Sequence, residues 1–165
     1  MGLDLLSTAL ATGLYLSYIP VKLFGFRDGK WTGAGFIGTV EGLFLFMLLP
    51  QKTLPYAVFL AVSILISCWL CDRAQIVLGN PDDPRIILDE IVGFWTAVAF
   101  LPKTAMTLGA GFIIFRIFDS VKIPPCRWLE RLPNGWGVVG DDVGAGIMAN
   151  LVIRLLMKHL PFAHL

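Results

Sequence analysis

The sequence predicts an all-α integral membrane protein of about six helices, two of which form a short helical hairpin. Of its 165 residues, 56% are hydrophobic and only 15% are charged, and the mean hydropathy is +0.76, outside the usual balance of soluble proteins. Residues 53–71 carry no charged side chain, and a helix needs about 20 such residues to cross a bilayer. No segment has a convincing strand pattern. The length suggests a single domain spanning residues 1–165.

The first three helices are predicted in the N-terminal half. Apolar residues 3–18 and 33–49 form the first two, and a proline, which ends a helix readily, follows each of them closely. The polar, glycine-rich residues 25–33 between them form a loop. The third helix covers residues 54–78 and ends before the turn-forming sequence GNPDDP.

The fourth and fifth helices are predicted to form the hairpin. Residues 91–102 and 104–115 are uncharged, and a helix of 12 residues is only about 18 Å long, which is short of a full crossing. Extended to the charged ends at Ile86 and Asp119, both become near-complete crossings. We expect an antiparallel pair that turns near Pro102.

The sixth helix, residues 141–160, follows a polar connection, residues 120–140. If that connection stays on one side of the membrane, the hairpin and the sixth helix bring their charged ends to one face. These charged residues are Asp89, Glu90, Arg116, Asp119, Lys122, Asp141 and Asp142. Because ionisable groups at membrane depth are costly to bury, they are functional candidates, and we predict a polar site at this face.

The residue types in this set suit a hard cation and an anion. Magnesium binds oxygen ligands, usually one or two carboxylates together with phosphate and water. The possible carboxylate ligands are Asp89, Glu90, Asp119, Asp141 and Asp142. Arg116 can hold a phosphate bidentately, and Lys122 offers a point charge. This combination favours metal-assisted attack on a phosphate ester, with water as nucleophile and a carboxylate as base.

Structural interpretations of the same residues remain open. Arg116 and Asp119 are i, i+3 neighbours that can form a plain ion pair, and Asp141 can serve as an N-cap. The glycines in residues 135–140 fit a turn that lets backbone amides approach a phosphate, or equally a flexible entry to the sixth helix.

Several other functions fit less well. The net charge is only +1 and no long basic run occurs, so nucleic-acid binding is not expected. A small transporter or a cation-binding membrane protein without hydrolytic activity would also explain buried acids, but not the charged connection before the sixth helix. An apolar scaffold that merely binds anionic lipid is a further alternative, which chelator sensitivity would distinguish.

Three stretches resemble the phosphatidylglycerophosphatase A family when taken together in order. They are residues 86–95 (IILDEIVGFW), 111–128 (GFIIFRIFDSVKIPPCRW) and 135–147 (GWGVVGDDVGAGI), which cover most of residues 82–147. The resemblance implies a magnesium-dependent, multi-pass enzyme of phospholipid biosynthesis in the bacterial inner membrane, with its site facing the cytoplasm. Its substrate would be phosphatidylglycerophosphate, which loses the terminal phosphate to give phosphatidylglycerol.

The resemblance also implies roles for the charged residues. The predicted metal ligands are Asp89, Asp119, Asp141 and Asp142, and the predicted catalytic groups are Glu90, Arg116 and Lys122. The sequence departs from the family pattern at Ile123, which separates the lysine from the following prolines, and at residues 37–42 (IGTVEG), where a Pro-Gly-Thr-x-Gly-Ser signature is altered and Glu41 is introduced.

Overall fold

A computed structural model describes residues 2–24, 33–81 and 83–159 of the chain. Within these ranges the structure consists of helices and turns and contains no strand, which confirms the all-α prediction there. The helices are α1 (Gly2–Ala11), α2 (Tyr18–Phe24), α3 (Ala34–Phe46), α4 (Thr53–Leu78), α5 (Leu88–Ala97), α6 (Ala105–Val121), α7 (Cys126–Leu129) and α8 (Gly135–His159). The predicted loop at residues 25–33 lies, except for its last residue, outside the described residues.

The short helix α5 occupies the centre of the structure. It packs against α3, α4, α6 and α8, and every residue from 91 to 99 is buried. Its Trp95 connects three helices, because the indole Nε1 donates to the Gly42 carbonyl at 2.8 Å and the Trp95 carbonyl accepts from the Tyr56 hydroxyl at 2.7 Å. These buried hydrogen bonds fix α5 relative to α3 and α4.

Helix α5 ends at Ala97, several residues before the predicted end near Pro102. The Nδ2 atom of Asn150 in α8 donates to the carbonyls of Ala97 and Ala99, each at 2.9 Å. Because the last carbonyls of a helix have no partner within it, such a side chain allows the helix to end inside the protein. The prediction of a helix that extends from Ile86 to Pro102 is therefore wrong.

The hairpin of α5 and α6 has the predicted antiparallel arrangement. Gly93 lies against the ring of Phe115, and Gly111 lies against Val98, so positions early in α5 face positions late in α6. The two helices are joined by residues 98–104. The hairpin thus places the start of α5 beside the end of α6.

Helix α1 ends at Ala11 and is followed by a turn at residues 12–17, so the prediction of one helix over residues 3–18 is wrong. Pro20, predicted to end that helix, lies in the first turn of α2. Gly13, Leu14 and Tyr15 have positive φ angles of 57°, 51° and 68°. The hydroxyl of Thr12 accepts from the Tyr15 amide at 3.3 Å. Hydroxyl side chains that bond to nearby backbone compete with helix continuation in this way.

Helix α4, with 26 residues, is the one helix in the described ranges that is long and apolar enough to cross a membrane. Its most apolar window has a mean hydropathy of 2.1 and is only one-third buried within the protein (33%). Leu54 and Ile76 at its two ends are 74% and 70% exposed. Exposed leucine and isoleucine side chains also occur on α1 and α8.

Candidate active site

Three helix ends meet at the polar face of the structure. They are the first turn of α5, the last two turns of α6 and the second turn of α8, and they carry Asp89, Glu90, Arg116, Asp119, Asp141 and Asp142. Carboxylates in the first turn of a helix are favoured by the positive end of its dipole, which helps α5 to begin with two acids. The charged ends of the hairpin and of the last helix therefore meet at one face, as predicted.

The acid cluster consists of Asp89, Glu90 and Asp142, whose carboxylate oxygens lie within 4.8 Å of one another. Asp89 and Asp142 are only 9% and 3% exposed, and the Glu90 side chain is 15% exposed. Glu90 Oε2 and Asp142 Oδ2 are buried and have no hydrogen-bond partner among the described residues. Carboxylates this close repel each other when ionised, so the acid cluster is suited to a cation.

Arg116 borders the acid cluster. Its Nη1 lies 2.7 Å from Asp119 Oδ2 and 3.9 Å from Glu90 Oε1. The intrahelical ion pair with Asp119 considered from the sequence is thus present, and the same guanidinium also faces the acids of α5. With the Arg116 side chain 24% exposed, the guanidinium stands between the buried acids and the surface.

Lys122 forms a second charged group at the end of α6. Its Nζ lies 2.7 Å from Asp141 Oδ2 and 3.0 Å from Glu130 Oε1. Burial alone would lower the pKa of Lys122, but Asp141 and Glu130 outweigh it and hold the pKa above its ordinary value, so the ammonium is charged at neutral pH. A cavity of about 270 Å³ opens beside this lysine and is also lined by Gln75 and Asn134.

Helix α8 begins at Gly135 rather than at the predicted residue 141. Asp141 therefore lies in the second turn, and its interpretation as an N-cap is wrong. The glycines of residues 135–140 are helical, so they form neither a phosphate-binding turn nor a flexible entry. Gly135 instead permits close packing on α4, because a Cβ there would overlap the Cys68 carbonyl oxygen and lie 2.9 Å from the Asp72 amide nitrogen.

The predicted site residues divide into two kinds of environment. Glu90, predicted as a catalytic group, lies in the acid cluster with two predicted metal ligands. The other two predicted ligands each contact a basic side chain, Asp119 that of Arg116 and Asp141 that of Lys122. The structure also places Gly35 against Glu90 and Arg116. Sequence reasoning missed this contact, for which the only signal was a glycine at that position.

Comparison with known proteins identifies the family. The family model described as PgpA, phosphatidylglycerophosphatase A, matches residues 9–157, which include all the charged residues of the site. The chain belongs to the phosphatidylglycerophosphatase A family. The resemblance of the three motif stretches is thereby confirmed over most of the chain.

Relatives of this phosphatidylglycerophosphatase A family member come from several bacteria. Phosphatidylglycerophosphatase A of Haemophilus influenzae is 35% identical over 145 residues, covering 84% of this chain and 88% of its own length. The Escherichia coli protein of the same name is 30% identical over 129 residues, covering 77% and 74%. A Bacteroides thetaiotaomicron protein, provisionally named a phosphatidylinositol-3-phosphatase, is 29% identical over 150 residues. No solved structure matches the chain.

Proposed function

We propose that this chain is a magnesium-dependent phosphatase that hydrolyses phosphatidylglycerophosphate to phosphatidylglycerol and phosphate. Family membership supports the reaction and the lipid substrate. The structural observation that carries the proposal is the acid cluster, which is buried, rich in carboxylate oxygens and bordered by Arg116. A single unit spanning residues 1–165 would carry this activity.

The acid cluster fits a magnesium ion by the chemistry of its donors. All three side chains offer oxygen, the ligand type that magnesium prefers, and two buried oxygens, Glu90 Oε2 and Asp142 Oδ2, have no hydrogen-bond partner in the described structure. Asp89, Glu90 and Asp142 would hold the ion. When bound, magnesium would neutralise phosphate charge and make a bound water more acidic.

Arg116 of α6 and Lys122, which follows α6, would bind the phosphate that is removed. Asp119 holds the guanidinium of Arg116 beside the acid cluster, where two parallel N–H groups can donate to two phosphate oxygens. Asp141 holds the ammonium of Lys122 at the mouth of the adjacent cavity. Both cations would stabilise the negative charge of the transition state.

The apolar surface supports a site that works on a lipid within a membrane. We propose a multi-pass protein of the bacterial inner membrane, with the polar face toward the cytoplasm. Helix α4 provides one span by its length and composition, and apolar side chains are exposed on several other helices. The acyl chains would remain in the bilayer while the head group enters the site.

Phosphate release from defined lipids tests this function. Purified protein in mixed micelles should release phosphate from phosphatidylglycerophosphate with magnesium and should lose this activity in EDTA. Phosphatidic acid and phosphatidylinositol 3-phosphate, as comparison substrates, should be hydrolysed more slowly. Magnesium-independent release, or a preference for either comparison lipid, would contradict the proposal.

Matched carboxamide variants test the site. Asp89→Asn and Asp142→Asn keep the size of the side chain but remove the charge that a hard cation requires, so activity should fall by orders of magnitude. Asp4→Asn is the control, because this acid lies in the first turn of α1, outside the site. Near-parental rates for both site variants would refute the metal assignment.

A transporter would give a different result. If purified protein moves cations across liposomes but releases no phosphate from any of the three lipids, the transporter alternative would replace the phosphatase. The ion pairs of Arg116 and Lys122 with carboxylates favour phosphate chemistry, because such pairs place cations where an anionic substrate can meet them.

A further inference from the structure

Gly35, in the first turn of α3, lies directly against the Glu90–Arg116 pair. A Cβ at this position would overlap Glu90 Oε1 and would lie 2.9 Å from Arg116 Nη1 and 3.1 Å from Arg116 Nη2. The Glu90 and Arg116 side chains therefore occupy the space that the Cβ of any other residue type at position 35 would need. Among the glycines of the described residues, Gly35 alone has atoms of both Glu90 and Arg116 as the nearest neighbours of an added Cβ.

Two further glycines of α3 face α5 but contact different atoms. A Cβ at Gly38 would lie 2.9 Å from the Ile87 carbonyl oxygen, and one at Gly42 would lie 3.1 Å from the Ile91 Cα. These neighbours are backbone atoms, which cannot move without displacing α5. Gly38 and Gly42 thus fix the distance between two helices, whereas the neighbours of Gly35 are the ends of flexible side chains.

We propose that Gly35 is a positioning residue for the reaction. Its missing side chain sets where the Glu90 carboxylate and the Arg116 guanidinium stand at the edge of the acid cluster. The inference rests on the proposed function, in which Glu90 holds magnesium and Arg116 binds phosphate. A methyl group at Gly35 would push both groups away from their present places, and displacements of about 1 Å in such groups can cost roughly 100-fold in rate.

The same change should leave the fold intact. The Glu90 and Arg116 side chains are 15% and 24% exposed, so both have room to rotate toward the surface. Alanine is also a better helix former than glycine. Gly35→Ala therefore separates activity from folding, which a substitution at Gly38 or Gly42 does not.

The experiment compares three glycine-to-alanine variants in purified protein with saturating magnesium. Gly35→Ala should lower kcat for phosphatidylglycerophosphate at least 10-fold, with KM changed less than 3-fold and parental thermal unfolding. Gly109→Ala, on α6 with no atom within 4 Å of the added carbon, should match the parent in rate and unfolding. Gly42→Ala should lower the unfolding temperature.

A second substitution tests whether Gly35 acts through Glu90. Glu90→Asp shortens the side chain by one methylene and makes room for the added methyl group. In the Gly35→Ala background, Glu90→Asp should therefore cost at least 5-fold less in kcat than it costs in the parent. A purely structural role for Gly35 predicts equal costs in the two backgrounds.

The outcomes separate this inference from the proposed function. A parent protein that releases no phosphate would refute the proposed function. An active parent with Gly35→Ala at the parental rate would overturn only the positioning role. That role would also be overturned if Gly35→Ala lowered the unfolding temperature as much as Gly42→Ala, or if the two costs of Glu90→Asp were equal.

Discussion

Asp142→Asn should make the metal-free protein more stable while it abolishes activity. The acid cluster places three carboxylates within 4.8 Å of one another, and two ionised groups at that distance repel by about 3 kcal/mol at an effective dielectric constant of about 20. The substitution removes two of the three repulsions. The parent can relieve the same two repulsions by protonating Asp142, which costs about 4 kcal/mol at pH 7 for an ordinary aspartate. The expected gain in the free energy of unfolding is therefore roughly 1 to 4 kcal/mol.

Thermal unfolding in EDTA and in magnesium measures this effect. In EDTA, Asp142→Asn should unfold at a temperature several degrees above the parent. Added magnesium should stabilise the parent, because a ligand that binds only the folded state raises its stability, but should leave the variant unchanged. A variant that is less stable than the parent in EDTA and still responds to magnesium would refute the reasoning.

Asp83→Asn is the matched control for this prediction. Asp83 is 3% exposed and binds Arg85 through two side-chain hydrogen bonds of 2.7 Å each. Burial raises the pKa of Asp83, but the hydrogen bonds and charge of Arg85 outweigh burial and hold that pKa below its ordinary value. Because this acid stabilises the fold as an anion, Asp83→Asn should lower the unfolding temperature in both buffers and leave the magnesium response intact.

Three further substitutions separate the roles of the basic residues. Arg116→Lys should lower kcat roughly 30-fold, about 2 kcal/mol, because an ammonium cannot hold phosphate bidentately, and steady-state kinetics would show it. Lys122→Gln removes the cation beside Asp141. Because the pKa of Lys122 is raised in the folded protein, the stability that the variant loses should be constant below about pH 10 and should shrink above it. Thermal unfolding at several pH values would measure this loss. Lys103→Met removes hydrogen bonds of 2.9 Å and 3.0 Å to carbonyls at the end of α3 and should cost about 2 kcal/mol in denaturant unfolding with the specific activity retained.

Some elements were predictable because their signals are local. The predicted third helix, residues 54–78, nearly coincides with α4, and Gly79 ends it with a positive φ of 71°, a common way for helices to terminate. The hairpin was predictable as well, because charged residues flank two apolar runs of similar length. These features depend on residues that are close together in the sequence.

Other elements depend on partners that are distant in the sequence. Helix α5 ends at Ala97 where a side chain of α8, 53 residues later, binds its carbonyl, and no local pattern reveals this. The surroundings of Glu41 could not be predicted either. Its Oε2 is buried without a hydrogen-bond partner in the described structure, and it lies against Gly13, which is distant in the sequence. The roles of Asp119 and Asp141 as metal ligands stay predictions, since spacing does not determine which way each helix is rotated.

The adjacent acids Asp141 and Asp142 face different partners because they point in different directions from helix α8. Neighbouring residues on a helix point about 100° apart, so two consecutive carboxylates can have different partners. Asp142 faces the acids of α5, while Asp141 contacts the ammonium of Lys122. A single turn of α8 therefore supplies one acid to the proposed metal site and another that holds a cation for phosphate. If α8 shifted by one residue so that Asp141 took the position of Asp142, Gly140 would take the position of Asp141, and Lys122 would lose its carboxylate partner. The close packing of Gly135 on α4 opposes such a shift.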